Sequence, residues 1–236
     1  MSVYCCADLH GMGGLWDQIK NFLKPEDKLY FLGDAIDRGP DGLRIAQEML
    51  EDERVIYLKG NHEDLFVRAA KALKQCWLDD NVTKAMIAAD PETYILNYHW
   101  YDDVALHIQN GGLSTLMAWA ADGSPMDIIG ELERLPEHVE FTNNRGELLD
   151  LSHAGHLKDN SDSFIWSREH FDEKWEGGRM IHGHTPIRSL MKHIFVEGKH
   201  STTHPAYYQE GTKICLDTGC FSSNCINILN LDTFEE

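Results

Sequence analysis

Short apolar runs alternate with helix-spaced apolar positions through the first third of the chain. Val3–Ala7, Leu29–Leu32 and Val55–Leu58 read as strands, whereas the stretches near Leu15–Leu23 and Asp41–Leu50, and a third starting at Glu63, read as helices. This β-α-β-α-β-α series is the pattern of an α/β fold. From about Cys76 to Arg145 the pattern turns helical and rich in aromatics, with Trp77, Tyr94, Tyr98, Trp100, Tyr101 and Trp119. That stretch reads as a helical insertion whose aromatics either pack it against the scaffold or form a cap over a site. Strands are expected again at Leu148–Leu151, Arg179–Ile181, Lys213–Leu216 and Ile226–Leu231, with turns or loops at Gly177–Gly178 and His200–Pro205. With 236 residues, 42% of them hydrophobic, the chain can bury one core. A single domain over 1–236 is expected, carrying the insertion around 76–145.

Polar residues cluster where these strands end. Asp8-Leu9-His10-Gly11, Gly33-Asp34 through Gly39, and Gly60-Asn61-His62-Glu63 follow the first three strands directly. In open α/β sheets ligands gather at the carboxyl ends of strands. Carboxylate, imidazole and amide oxygen are the donors that hard and borderline divalent metals take, and a carboxylate can bridge two ions. Asp8, His10, Asp34, Asn61, His153 and His184 are six such donors at strand-to-loop junctions. His156 reads as a polar loop residue and Asp217-Thr218-Gly219 as a backbone turn near the site. Gly11-Met12-Gly13-Gly14 lacks the spacing of a phosphate-binding loop and reads as the turn into the first helix.

Composition narrows the partners. A formal charge of −18 disfavours nucleic acid, whose binding depends on Lys and Arg displacing counterions. No run of about 18 apolar residues is present for a membrane span, and the opening MSVYCCADLH has neither a basic flank nor a cleavage site, so a cytoplasmic protein is expected. The six cysteines form no C-x-x-C pair and read as small buried hydrophobes in a reducing compartment.

The order Asp-x-His-Gly, Gly-Asp-x-x-Asp-Arg-Gly and Gly-Asn-His-Glu, spanning Asp8–Gly11, Gly33–Gly39 and Gly60–Glu63, resembles the phosphoprotein phosphatase family of the calcineurin-like metallophosphoesterases. His153-Ala154-Gly155, Trp166-Ser167-Arg168, Gly183-His184-Thr185-Pro186 and Leu216-Asp217-Thr218-Gly219 continue the match over nearly the whole chain. The resemblance implies two packed central β-sheets flanked by helices, and two divalent ions, with manganese the first choice and iron or zinc as alternatives. It implies that Asp8, His10 and a bridging Asp34 hold one ion, and that Asp34, Asn61, His153 and His184 hold the other. The family pattern places the ligand at His184, after the glycine, rather than at His182. Arg38 and Arg168 would grip phosphoryl oxygens, and a surface salt bridge is the competing reading of Arg168. His62 would protonate the leaving oxygen with Asp37 as its orienting carboxylate.

The activity so implied is hydrolysis of phosphoserine and phosphothreonine esters by direct attack of a metal-bridging hydroxide, on a phosphoprotein or small phosphoester. Relatives that cleave symmetrical dinucleoside tetraphosphates share this machinery and more often carry aspartate at the position of Glu63, which favours the phosphoprotein substrate. A non-catalytic scaffold on the same fold is a third reading, opposed by the presence of all six ligands, His62 and Arg38.

Overall fold

The computed structural model describes residues 1–157, 164–194 and 201–236. Its first half runs β1 (Val3–Cys6), α1 (Gly13–Phe22), β2 (Lys28–Phe31), α2 (Gly42–Glu51), β3 (Val55–Tyr57) and α3 (Asn61–Asp79). The three strands pair in parallel, Cys5 opposite Tyr30 and Tyr30 opposite Ile56. Helix α3 starts two residues before the expected Glu63, because the Glu63 carboxylate accepts the Gly60 N–H at 2.8 Å and closes the first turn from its third position.

Five short helices follow: α4 (Lys84–Ala89), α5 (Pro91–Leu96), α6 (Asp102–Gln109), α7 (Leu113–Ala121) and α8 (Ile128–Glu133). Trp77 stacks on Trp119 at 5.5 Å and both pack into the helical core, so these aromatics pack the segment. Trp100 and Tyr101 stay exposed. The helical run ends at Glu133 rather than near 145, since His138–Thr142 forms strand β4. The chain continues through β5 (Leu148–Ser152), β6 (Arg179–His182), α9 (Ile187–Leu190), β7 (Ala206–Tyr208), β8 (Lys213–Cys215), α10 (Cys220–Ser223) and β9 (Leu229–Asn230). The expected Gly177–Gly178 turn precedes β6; the expected loop at His200–Pro205 begins outside the described residues.

Two sheets result. One has the order β3-β2-β1-β9, with β9 antiparallel to β1, and the other β4-β5-β6-β8-β7. The alternation of strand side chains sorts residues into layers. Cys5, Leu149, Leu151, Ile181, Ile214 and Leu229 meet between the sheets, while Cys6, Leu29 and Phe31 on the opposite face pack against residues of α1, α2 and α3. Phe171, Ile187, Leu190 and Tyr208 cover part of the second sheet's outer face. The architecture is therefore a pair of packed sheets between helical layers. The cysteines are all free and five are buried. No helix among the described residues is long and apolar enough to cross a membrane.

Leu151 and Leu148 lie on the same strand at different depths, 0% and 39% exposed. Leu151→Ala should therefore cost about 2–5 kcal/mol in urea unfolding, and Leu148→Ala within about 0.5 kcal/mol.

Candidate metal centre

The ends of β1, β2, β5 and β6 converge on one edge where the two sheets meet. Hydrogen bonds lock the first two loops together: His10 N–H donates to Asp34 O at 2.9 Å and Gly11 N–H to Ala35 O at 2.8 Å. Glu63 clamps the second loop, one carboxylate oxygen accepting Asp34 N–H at 2.8 Å and the other accepting Ala35 N–H at 3.0 Å and the Tyr57 hydroxyl at 2.8 Å. Eleven non-glycine residues among those described have positive φ, and Asp8, His10, Asp34, Asp37, Arg38 and His184 are six of them. Such backbone costs of order 1–3 kcal/mol per residue, so strain is concentrated at this edge.

The structure gathers Asp8, His10, Asp34, Asn61, His153 and His184 into one buried cluster. Asp34 Oδ2 lies 3.7 Å from His10 Nε2 and its Oδ1 3.4 Å from His153 Nε2. Asn61 Oδ1 stands 2.9 Å from both His153 Nε2 and His184 Nδ1. Asp8 accepts the His184 N–H at 3.1 Å and faces His10 Nε2 at 4.0 Å. Gly183 permits this approach: a Cβ there would stand 2.0 Å from Asp8 Oδ2.

The donor chemistry fits divalent ions. His153 Nδ1 meets Leu32 O at 2.7 Å and His10 Nδ1 meets Ile36 O at 3.3 Å. Each ring thereby spends Nδ1–H on a main-chain carbonyl and turns the Nε2 lone pair inward, the orientation shown by metal-ligating histidines. His184 Nε2 is buried without a partner. Two trios, His10-Asp34-His62 and Asp34-His153-His184, have donor atoms close enough to hold an ion, and Asp34 belongs to both. Burial, then the charge of Asp217, pushes the Asp8 carboxyl well above its usual range. Burial likewise raises Asp217 to about 6. For His153 burial opposes charge, but the adjacent Asp34 outweighs it and raises the imidazole to about 10. Burial and the neighbouring His153 lower His184 to about 2. Burying the Asp8, Asp34 and Asp217 carboxyls side by side disfavours their charged forms, and bound cations would favour them.

Arg38 and Arg168 flank the cluster, both exposed. Arg168 Nε–H donates to Thr185 Oγ1 at 3.2 Å beside His184, and no ion pair involves it among the described residues. His62 Nδ1 lies 2.7 Å from Asp37 Oδ2, while Arg38 Nη2 approaches His62 Nε2 at 3.2 Å. Burial works against charge on His62, yet Asp34 and Asp37 hold it above the usual imidazole range. His182 points elsewhere, its Nε2 2.6 Å from the Tyr208 hydroxyl. His156 lies in the loop after β5, as expected, but it is buried against Asp150 rather than turned to solvent. The helical segment, which the sequence left open as packing or as a cap, meets the site through residues the sequence did not single out. Thr115 Oγ1 accepts the Asp37 N–H at 3.0 Å, Gly111 O accepts the Arg38 N–H at 3.0 Å, and buried His107 stands 3.4 Å from Asp37 Oδ2.

The profile of the calcineurin-like phosphoesterases matches residues 1–216. The symmetrical bis(5'-nucleosyl)-tetraphosphatase of Acidovorax sp. (strain JS42) is 26% identical over 152 residues, 60% of this chain and 53% of that protein. The chain thus spans about half the length of that relative. A provisionally named serine/threonine-protein phosphatase of Caenorhabditis elegans is 39% identical over 62 residues, 24% of this chain and 16% of that protein. A solved structure provisionally named a diadenosine tetraphosphatase superposes with a TM-score of 0.52 at 17% identity, over 97% of this chain and 92% of that one, a likeness of fold.

Two substitutions test this geometry. Gly183→Ala should displace the Asp8 carboxylate and weaken divalent-ion binding at least about tenfold in titration calorimetry. Thr115→Val strands the buried Asp37 N–H, so urea unfolding should show a loss of about 1–3 kcal/mol that Thr115→Ser largely restores.

Proposed function

We propose, from the premise that this chain belongs to the calcineurin-like phosphoesterase family, that it hydrolyses dinucleoside tetraphosphates symmetrically. Phosphoester hydrolysis follows from the family; the substrate is our reading. It reverses the order of substrates expected from the sequence. Glu63, the residue that pointed to phosphoproteins, is buried and spends its carboxylate on backbone N–H groups and Tyr57, away from any substrate. The observation that carries the proposal is Trp166, 41% exposed with its ring 6.1 Å from that of His184. An open indole at the rim of a phosphate site suits a stacked nucleobase. The name of the tetraphosphatase relative, matched over 60% of the chain, supports the same substrate.

Asp8, His10 and Asp34 would hold one ion, and Asp34, Asn61, His153 and His184 the other. When bound, two such ions lower the pKa of water toward neutrality and offset charge on the phosphoryl oxygens. Water adds its oxygen to one of the two central phosphorus atoms as the central P–O–P bond breaks, yielding two nucleoside diphosphates. Arg38 and Arg168 orient the phosphate chain through paired N–H donors. Arg38 Nη2 stands where an Nε2 proton would sit, while Asp34 and Asp37 favour the charged ring. A phosphoryl oxygen that draws Arg38 away frees Nε2 to carry a proton to the departing oxygen, with Asp37 stabilising the charged ring. Behind Asp37, Thr115 holds its main-chain N–H and His107 packs 3.4 Å from its Oδ2.

Trp166→Ala should raise KM for diadenosine tetraphosphate about 5- to 150-fold, the equivalent of one stacked base, and leave KM for p-nitrophenyl phosphate within about twofold. Equal effects on both would argue against a nucleobase at this rim. In a direct comparison, kcat/KM should favour diadenosine tetraphosphate over a phosphothreonine peptide, and the reverse preference would return the chain to the phosphoprotein reading. His62→Asn should lower turnover of an alkyl phosphate by about 10²–10⁴ and that of the tetraphosphate by less, because a nucleoside diphosphate leaves more readily than an alkoxide.

A further inference from the structure

On the outer face of the second sheet lies a second cluster of metal-ligand residues, apart from the edge just described. The pairing of β4 with β5 sets Glu140 opposite Asp150 and His138 opposite Ser152. Alternation turns Leu149 and Leu151 into the inter-sheet core and Asp150 outward. There Asp150 is only 1% exposed, beside a cavity of about 680 Å³ lined by His138, Glu140, His156, Phe164, Trp175 and Lys213. His138 Nε2 stands 3.1 Å from Asp150 Oδ1, and His156 Nε2 stands 3.1 Å from both Asp150 oxygens. The three donor atoms lie within 4.8 Å of one another.

His156 Nδ1 lies 3.0 Å from Leu157 O, so the single N–H of a neutral ring is spent on that carbonyl. Its Nε2 lone pair then faces a carboxylate, an arrangement that repels unless a proton or a cation stands between. The carbonyl partner fixes the tautomer as it does for metal-ligating histidines. A tetrahedral ion with bonds of about 2.0–2.1 Å needs donors roughly 3.3 Å apart, close to the 3.1 Å from each imidazole to Asp150. Phe164 stacks on His138 at 4.5 Å and meets His156 edge-on at 4.6 Å, holding both rings in place. Glu140 Oε1 reaches within 4.0 Å of His138 Nε2 and can supply a fourth donor. Trp175 Nε1, on the cavity wall, is buried without a partner.

We propose that His138, Asp150 and His156 form a mononuclear site for a divalent ion of the zinc class, with Glu140 or a cavity water as the fourth ligand. Two imidazoles and one carboxylate are a recurrent zinc set, and the cavity lies beside the remaining position. The ion would tie β4 and β5 to the loop that carries His153. This site does not depend on the substrate assigned above, nor on occupancy of the edge cluster.

The test is zinc content per chain, by mass spectrometry after equilibration and gel filtration, for the full chain and for His138→Gln and His156→Gln. Each variant should hold one equivalent fewer than its parent, and the same difference should persist in an Asp34→Asn background that isolates this site from the edge cluster. Cobalt added to that background should give the visible absorption of a tetrahedral ion, and His138→Gln should abolish it. Hydrolysis of p-nitrophenyl phosphate by the two single variants should stay within about twofold of the parent. If both variants keep the parent's zinc content, the cluster is a proton-bridged His-Asp-His network and the proposal fails. His138 is the more exposed ligand, so its variant decides the matter even if His156→Gln does not fold.

Discussion

Asp34 is a carboxylate buried to 2% exposure at the meeting edge of two sheets, and its surroundings are arranged to make that charge tolerable. His10, His62 and His153 all face it within 3.8 Å, and the His62 N–H donates to it at 3.0 Å. The loop that presents it is clamped through Glu63, which ties the end of β2 to the start of α3. Left-handed backbone at Asp8, His10, Asp34 and His184 is the local cost of aiming donors from separate strands at one point. Such strain persists only where surrounding packing over-determines it, and here the two-sheet core supplies that rigidity. A carboxylate flanked on both sides by inward-turned imidazoles is also the group best placed to bridge two cations.

The helical segment enters the chemistry from behind. It meets the loop between β2 and α2 through the main chain of Gly111 and the side chains of Thr115, Ser114 and His107. Asp37 and Arg38 are therefore held from two sides, by the sheet edge and by α6 and α7. This links an apparently peripheral insertion to the orientation of His62, since Asp37 is that ring's closest polar partner at 2.7 Å.

Much of this was legible in the sequence. The β-α-β-α-β-α series and the polar clusters at strand ends located α1 to α3 and the residues gathered at the sheet edge, because both signals are local: apolar periodicity, then a glycine-flanked turn. Strands β4 and β7 were not legible. Both lie at the edges of the second sheet, where β4 carries the exposed charge of Glu140 and β7 has only three residues, so neither forms a distinct apolar run. The roles of Thr115 and His107 were out of reach because their partner Asp37 lies 70 or more positions away. The burial of His156 in its loop was out of reach for a related reason. Nothing local says that Asp150, turned away from the inter-sheet core, is still buried there beside His138 and His156. Glu63, a pointer to substrate in the sequence, acts in the structure as a brace.

The measurement that bears most directly on the account is the metal content of Asp34→Asn after equilibration with manganese, compared with the parent chain under the same conditions. A bridging role for Asp34 predicts that both ions at the sheet edge are lost together and hydrolysis with them, since one carboxylate serves both trios. Full retention of both ions and of turnover by the variant would contradict it.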